Sequence, residues 1–139
     1  MRIMAHPLSA VLWDFDDVLV GPGDVPDPWM QERCAALHTR GVTQAVLTNA
    51  TGPRATEIAA ALEAFPGVGE LFTPERTGHA KPDPQAFLAA ADALALAPGA
   101  VLLVDPISAH VNAAAGAGFK TFRYSRLARD VLQRTLDAR

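Results

Sequence analysis

A chain of 139 residues is long enough for one domain with a real core and too short for two comfortable ones. Half of its residues are hydrophobic and 19% are charged, which excludes a disordered chain, and a net charge of −3 argues against sequence-independent nucleic-acid binding, which needs a basic face. Cys34 is the single cysteine, so no internal disulfide can form, and no apolar run approaches the roughly 18 residues of a membrane span.

The N-terminus lacks the long apolar core and small-residue cleavage site of a signal peptide, so the expectation is a soluble cytoplasmic protein. Residues 10–15 read as a buried strand that runs into Asp14, Asp16 and Asp17. The stretch Gly21-Pro22-Gly23-Asp24-Val25-Pro26-Asp27-Pro28 is rich in breakers and forms a loop. Residues 29–38 fit a helix, stopped by Gly41. Residues 45–47 are a second short buried strand, ending at Thr48-Asn49. Pro53 suits the first turn of a helix reaching about residue 65, with Ile58 and Leu62 four apart on one face. Leu71-Phe72 is a short strand candidate. Asp83-Pro84 reads as an N-cap followed by proline at the first helical position; that helix carries Phe87, Ala91 and Leu94 and ends near Pro98-Gly99. Residues 100–104 form a third strand ending at Asp105, and an alanine-rich helix runs from about residue 109 to Gly116 or Gly118. Residues 121–124 are a last strand and residues 126–136 a last helix.

Strands alternate with helices, and the interior strands are continuously apolar. That is the pattern of a parallel sheet covered on both faces, an α/β fold. Ligands of such a sheet bind outside the carboxyl ends of its strands. Asp14, Thr48 and Asp105 each directly follow a strand, and Lys81 comes just before a helix in Thr77-Gly78-His79-Ala80-Lys81-Pro82-Asp83-Pro84. Together they suit a phosphate ester. Asp14 would attack phosphorus to form an aspartyl-phosphate. Thr48 and nearby amides would hold phosphate oxygens, and Lys81 would offset the repulsion between carboxylate and phosphate. Asp16 shares one side of an extended chain with Asp14, and would protonate the leaving oxygen and then activate water. Carboxylates crowded at a strand end become tolerable where a cation or a division of protonation states relieves them.

These residues resemble the motifs of the haloacid dehalogenase (HAD) superfamily, whose members are mostly magnesium-dependent phosphatases. A hydrophobic strand leads into Asp14-Phe15-Asp16-Asp17-Val18-Leu19; a second strand ends Val46-Leu47-Thr48-Asn49. Lys81-Pro82-Asp83-Pro84 follows, with Phe87 soon after; then comes Val104-Asp105 and an alanine-rich helix closed by Ala117-Gly118. Four motifs in order, each in its expected context, are specific where a single DxD is not. The resemblance implies a three-layer α/β/α Rossmann-like core. It also implies Asp14 as nucleophile, Asp16 as general acid/base, and Thr48, Asn49 and Lys81 as phosphate ligands. Its cofactor would be Mg2+, held by Asp14, Asp16 and Asp105.

Two departures stand out. The position that often carries the magnesium-holding carboxylate is Pro106, which offers only a carbonyl, and the later Asp/Asn position is His110. Thr48 lies 34 residues after Asp14, and Lys81 lies 33 after Thr48. A strand, a loop and a helix already fill each interval, whereas a separate domain needs roughly 50 residues or more. Residues 1–139 are therefore expected to be one HAD-like core domain without a cap. An open site suits a phosphorylated small molecule or a larger phosphorylated substrate, or could be closed by a second copy of the chain; neither nucleic acid nor membrane is an expected partner.

The bland readings are a solvent-facing or turn-capping Asp17, structural roles for His79 and Cys34, a helix-start role for His110, and core or rim positions for Trp13 and Trp29. Pro106 motivates an alternative function, a HAD-like binding or regulatory domain without efficient turnover. A response-regulator receiver has its acidic cluster before the phospho-accepting aspartate, Thr and Lys, unlike the order Asp14, Thr48, Lys81, Asp105. A true dehalogenase does not need the second aspartate, which here is Asp16.

Overall fold

In the computed structural model, which describes residues 8–138, strand and helix alternate along the chain. They are β1 (Ala10–Trp13), α1 (Pro28–Thr39), β2 (Thr43–Leu47), α2 (Gly52–Ala61), β3 (Val68–Phe72), α3 (Pro74–Thr77), α4 (Pro84–Ala93), β4 (Val101–Asp105), α5 (Ser108–Gly116), β5 (Lys120–Arg123) and α6 (Arg129–Asp137). All five strands pair in parallel, in the order β3-β2-β1-β4-β5.

Alternation along each central strand sorts its side chains between two cores. Val11 and Trp13 of β1, with Leu102 and Val104 of β4, pack with Met30, Cys34, Leu37, Ile58, Leu132 and Leu136 from α1, α2 and α6. Ala10, Leu12, Val101 and Leu103 face the other way, onto Phe87, Ala90, Ala91 and Ala114 from α4 and α5. The result is the expected three-layer α/β/α sandwich, with no cap among the described residues. No helix among the described residues is long and apolar enough to cross a membrane.

The topology places the site. From β1 the chain moves outward to β2 and β3, then returns to β4 on the opposite side of β1. The crevice where the order reverses therefore opens between the carboxyl ends of β1 and β4, flanked by Asp14 and Asp105.

Element boundaries differ from the sequence expectation where local chemistry intervenes. Strand β3 starts at Val68, three residues early; its Gly69 and Glu70 face solvent on an edge strand and carry no hydrophobic signal. The second helix stops at Ala61 and continues as a 3-10 turn over Leu62–Ala64. Helix α4 ends at Ala93, because Ala95 takes a left-handed φ of 58° and Leu96 N bonds back to Ala91 O. The short α3 was not anticipated; Thr73 caps it by accepting from Arg76 N, and Gly78 closes it at φ 82°.

Two local details carry stability. The Trp13 indole donates to Gln44 Oε1 at 3.1 Å, and Gln44 Nε2 donates to Cys34 O at 2.9 Å, so a buried carboxamide is satisfied at both ends. Gly67 sits at φ 80°, and a Cβ there would lie 2.6 Å from His38 Cβ and Cγ. Gly67→Ala is therefore expected to destabilise the fold by more than the ~1–2 kcal/mol of a left-handed residue alone. Gly69→Ala, which meets nothing within 4 Å, should be close to neutral; the two denaturant midpoints, compared side by side, check this.

Candidate active site

Four predicted residues meet at the carboxyl edge of the sheet. The Asp14 amide still donates to Val104 O, so the residue is held in line with β4 as β1 ends. Its Oδ1 accepts from Phe15 N at 3.0 Å and from Lys81 Nζ at 3.2 Å. Lys81 Nζ also donates to Leu47 O at 2.7 Å and to Asp105 Oδ2 at 2.9 Å, so all three of its protons are engaged. The Lys81 side chain is 1% exposed and Asp105 is fully buried, which makes the lysine the cation that lets two carboxylates share the crevice.

Asn49 holds this lysine in place. Its Nδ2 donates to Lys81 O at 2.9 Å, and its Oδ1 accepts from Lys81 N at 2.8 Å. Asn49 thus reaches the site through the Lys81 backbone, with one Nδ2 proton and Oδ1 engaged there. Thr48 is buried at the end of β2, and its hydroxyl oxygen accepts from Ala50 N at 3.1 Å. Asp83, the expected N-cap of α4, accepts from Gln85 N at 2.9 Å and anchors the loop just after Lys81.

The structure corrects the expectation that Asp16 continues an extended chain beside Asp14. β1 ends at Trp13, and the amides of Val18 and Leu19 turn back onto Phe15 O. Asp16 is more than half exposed and accepts from Arg54 Nη2 at 2.7 Å. The same guanidinium grips Asp24 through both nitrogens, at 2.6 and 2.9 Å, and lies 5.6 Å from the centre of the Phe15 ring. This bond to Arg54 holds the Asp24 carboxyl below the usual carboxylate range. Asp17 takes a left-handed φ of 63°, the turn residue anticipated.

Electrostatics single out Asp14. Burial is the largest influence and pushes its carboxyl above the usual range; Lys81 opposes this, and the charge of Asp105 adds to it. Burial pushes the Cys34 thiol up to about 12, in keeping with a purely structural cysteine. Trp13 lies in the core, and the Trp29 ring has the guanidinium groups of Arg33 and Arg129 over it, at 5.0 and 4.9 Å. His79 pairs with Asp83 at 3.4 Å on the surface.

Of two further contributors, Arg54 escaped the sequence reading and His110 was read only as a helix-start residue. His110 is buried, and its Nδ1 lies 2.9 Å from Asp105 Oδ2; because that oxygen is an acceptor, the proton is assigned to Nδ1. Its position one turn into the helix after Asp105 was the available signal. Arg54 could have been found in the same way, since it stands in the first turn of the helix that leaves the Thr48 strand end.

The residues expected to hold Mg2+ do not fit that ion. Asp105 Oδ2 is taken by Lys81 and His110, and its Oδ1 accepts from Ile107 N at 2.9 Å. Asp16 is paired with Arg54, and Pro106 supplies no side-chain oxygen. No three His, Cys, Asp or Glu side chains among the described residues gather to hold a metal ion. Beside the crevice lies a cavity of about 310 Å³ lined by Asp17, Gly21, Pro106, Tyr124, Ser125 and Arg126. A larger hollow of about 450 Å³ borders α3 and α4, between Thr77, Gln85 and Asp92, and neither hollow is lined by Asp14, Thr48, Lys81 or Asp105.

The family model of haloacid dehalogenase-like hydrolases matches residues 22–118. Among solved structures, an uncharacterized protein from Corynebacterium glutamicum is 29% identical, with a TM-score of 0.78 over 92% of this chain and 93% of that one. The L-2-haloacid dehalogenase PA0810 is 28% identical, with a TM-score of 0.58 over 69% of this chain; the match spans 40% of that longer protein. A predicted HAD-like family hydrolase from Porphyromonas gingivalis shares the fold at 13% identity, with a TM-score of 0.75 over 95% of this chain and 99% of that one. No curated protein matches the chain.

Proposed function

The chain belongs to the haloacid dehalogenase-like hydrolases, and from that membership we propose that it is a phosphate-monoester hydrolase working through an aspartyl-phosphate on Asp14. The observation that carries this reading is the buried contact between Asp14 and Lys81 at the crossing point of the sheet. A nucleophilic carboxylate beside a fixed cation suits attack on an anionic ester.

In the first step an Asp14 oxygen bonds to phosphorus, and the bond from phosphorus to the leaving oxygen breaks. Asp16, once it has left Arg54 and taken up a proton, supplies the proton that oxygen needs. In the second step water attacks phosphorus, gives its proton to Asp16, and releases phosphate and the Asp14 carboxylate. Esterification removes the negative charge of Asp14, so the Lys81 proton it accepts becomes available to an oxygen of the phosphoryl group. The Thr48 hydroxyl accepts from Ala50, which leaves its proton to donate to a phosphate oxygen. No cap domain stands over the crevice among the described residues, which leaves it open to small and large phosphorylated substrates alike.

Hydrolysis of an aryl phosphate and of a panel of phosphorylated metabolites tests the proposal, with halide release from 2-haloacids measured in parallel. Turnover of phosphate esters alone supports it; halide release would replace it with the dehalogenase reaction. Asp16→Asn is expected to lower kcat by about 10²–10⁴-fold, the usual contribution of a general acid/base. A second reading, a binding domain without turnover, is favoured by one observation, the grip of Arg54 on Asp16. It predicts phosphate binding with no product, in the wild type and in Arg54→Gln alike.

A further inference from the structure

We infer that this chain has exchanged its divalent-metal site for a lysine-centred one, in which Lys81, positioned by Asp105 and His110, supplies the positive charge at Asp14. The inference rests on the proposed role of Asp14, and it names how that site balances an anionic ligand.

The donors decide the matter. Mg2+ asks for near-octahedral oxygen ligands and is usually held through one or two carboxylates. Both oxygens of Asp105 already accept from nitrogen donors: Lys81 and His110 on Oδ2, Ile107 N on Oδ1. Oδ2 could reach a metal only by breaking a fully buried ion pair and leaving the Lys81 ammonium short of a partner, so Asp105 has one lone pair of Oδ1 to offer, too few for a site that Pro106 does not complete. Pro106 cannot substitute for it, and the Asp16 carboxylate is held by Arg54. The second oxygen of Asp14 is the one carboxylate oxygen of Asp14 and Asp105 with no hydrogen-bond partner among the described residues.

The two departures from the family motif make sense together. A carboxylate at 106 would add negative charge beside Asp14 and Asp105 that only a metal could balance. Proline there removes that need. Histidine at 110 then gives Asp105 a second fixed donor, which locks its Oδ2 onto Lys81. His110 and Asp105 are thus positioning residues that act through Lys81.

Titration of the intact protein with Mn2+, followed by the loss of the free-ion EPR signal, tests this without any turnover. No saturable site with a Kd below about 1 mM is expected. A site tighter than that, absent from Asp14→Asn, would overturn the inference. Orthovanadate, an oxyanion analogue of the phosphoryl group, is then titrated calorimetrically with Mg2+ and again in buffer stripped of divalent ions on a chelating resin. Equal affinities are expected; weakening by about tenfold or more in the metal-free buffer would overturn the inference, because the metal would then arrive with the anion. If vanadate binds in neither buffer, the phosphatase reading falls, and the Mn2+ titration still decides whether a metal site exists.

Discussion

Asp14→Asn is expected to remove turnover by at least about 10³-fold, the scale of losing a covalent nucleophile, and at the same time to make the protein more resistant to unfolding at neutral pH. The two effects share one cause. Burial makes ionisation of Asp14 unfavourable, and its raised carboxyl means that the folded state holds this proton more tightly than the unfolded chain does. For an acid displaced in that direction, stability falls as pH rises from the unfolded value of about 3.9 through the raised folded value, and the cost is fully present above it. Asparagine keeps the shape and an acceptor for Lys81 without carrying the charge. The wild-type and variant unfolding midpoints should therefore converge near pH 4 and separate toward pH 8, with the variant higher. A variant less stable than the wild type at pH 8 would mean that the Asp14–Lys81 attraction outweighs the burial of the carboxylate. A nucleophile that the fold would rather not ionise is the usual compromise between stability and activity.

Much of this site was legible in the sequence, for a physical reason. Short, continuously apolar runs mark the interior strands, and a polar residue directly after such a run must lie at the carboxyl edge of a parallel sheet. Asp14, Thr48 and Asp105 were placed in that way, and the Asp83-Pro84 helix start set Lys81 beside them. What the sequence could not show was how polar groups pair once they are together. Asn49 is occupied by the Lys81 backbone, Arg54 reaches across to Asp16 and Asp24, and His110 turns inward to Asp105. Each of these choices depends on distances between elements far apart in the chain. The Asp16 expectation failed on a smaller scale: the period-2 rule needs a strand, and β1 stops at Trp13 when Val18 and Leu19 turn back onto Phe15. Gln44 escaped notice because the apolar run that marks the second strand begins at Ala45, whereas β2 begins at Thr43 and buries the Gln44 carboxamide against the Trp13 indole and Cys34 O.

Lys81→Met tests the centre of the network and should be the most destabilising single change at the site. The variant keeps most of the volume of the side chain and removes only the ammonium. Asp105 would then remain fully buried with His110 and Ile107 N as its partners, and Asp14 would face it without an intervening cation. Removing one partner of a buried ion pair typically costs about 3–5 kcal/mol, because a charge is left uncompensated. That is a large share of the ~5–15 kcal/mol that holds a domain of this size together. Combining Lys81→Met with Asp105→Asn removes the stranded charge, so the double variant is expected to be more stable than Lys81→Met alone and to remain inactive. Denaturant midpoints of the wild type, both single variants and the double variant close a thermodynamic cycle whose coupling term measures the pair. Additive effects would show that Lys81 and Asp105 do not act as a unit, and a stable, active Lys81→Met protein would remove the lysine from the mechanism. Lys81→Arg offers no rescue, because a planar guanidinium cannot point three protons at Asp14, Leu47 O and Asp105 from within the same enclosed space.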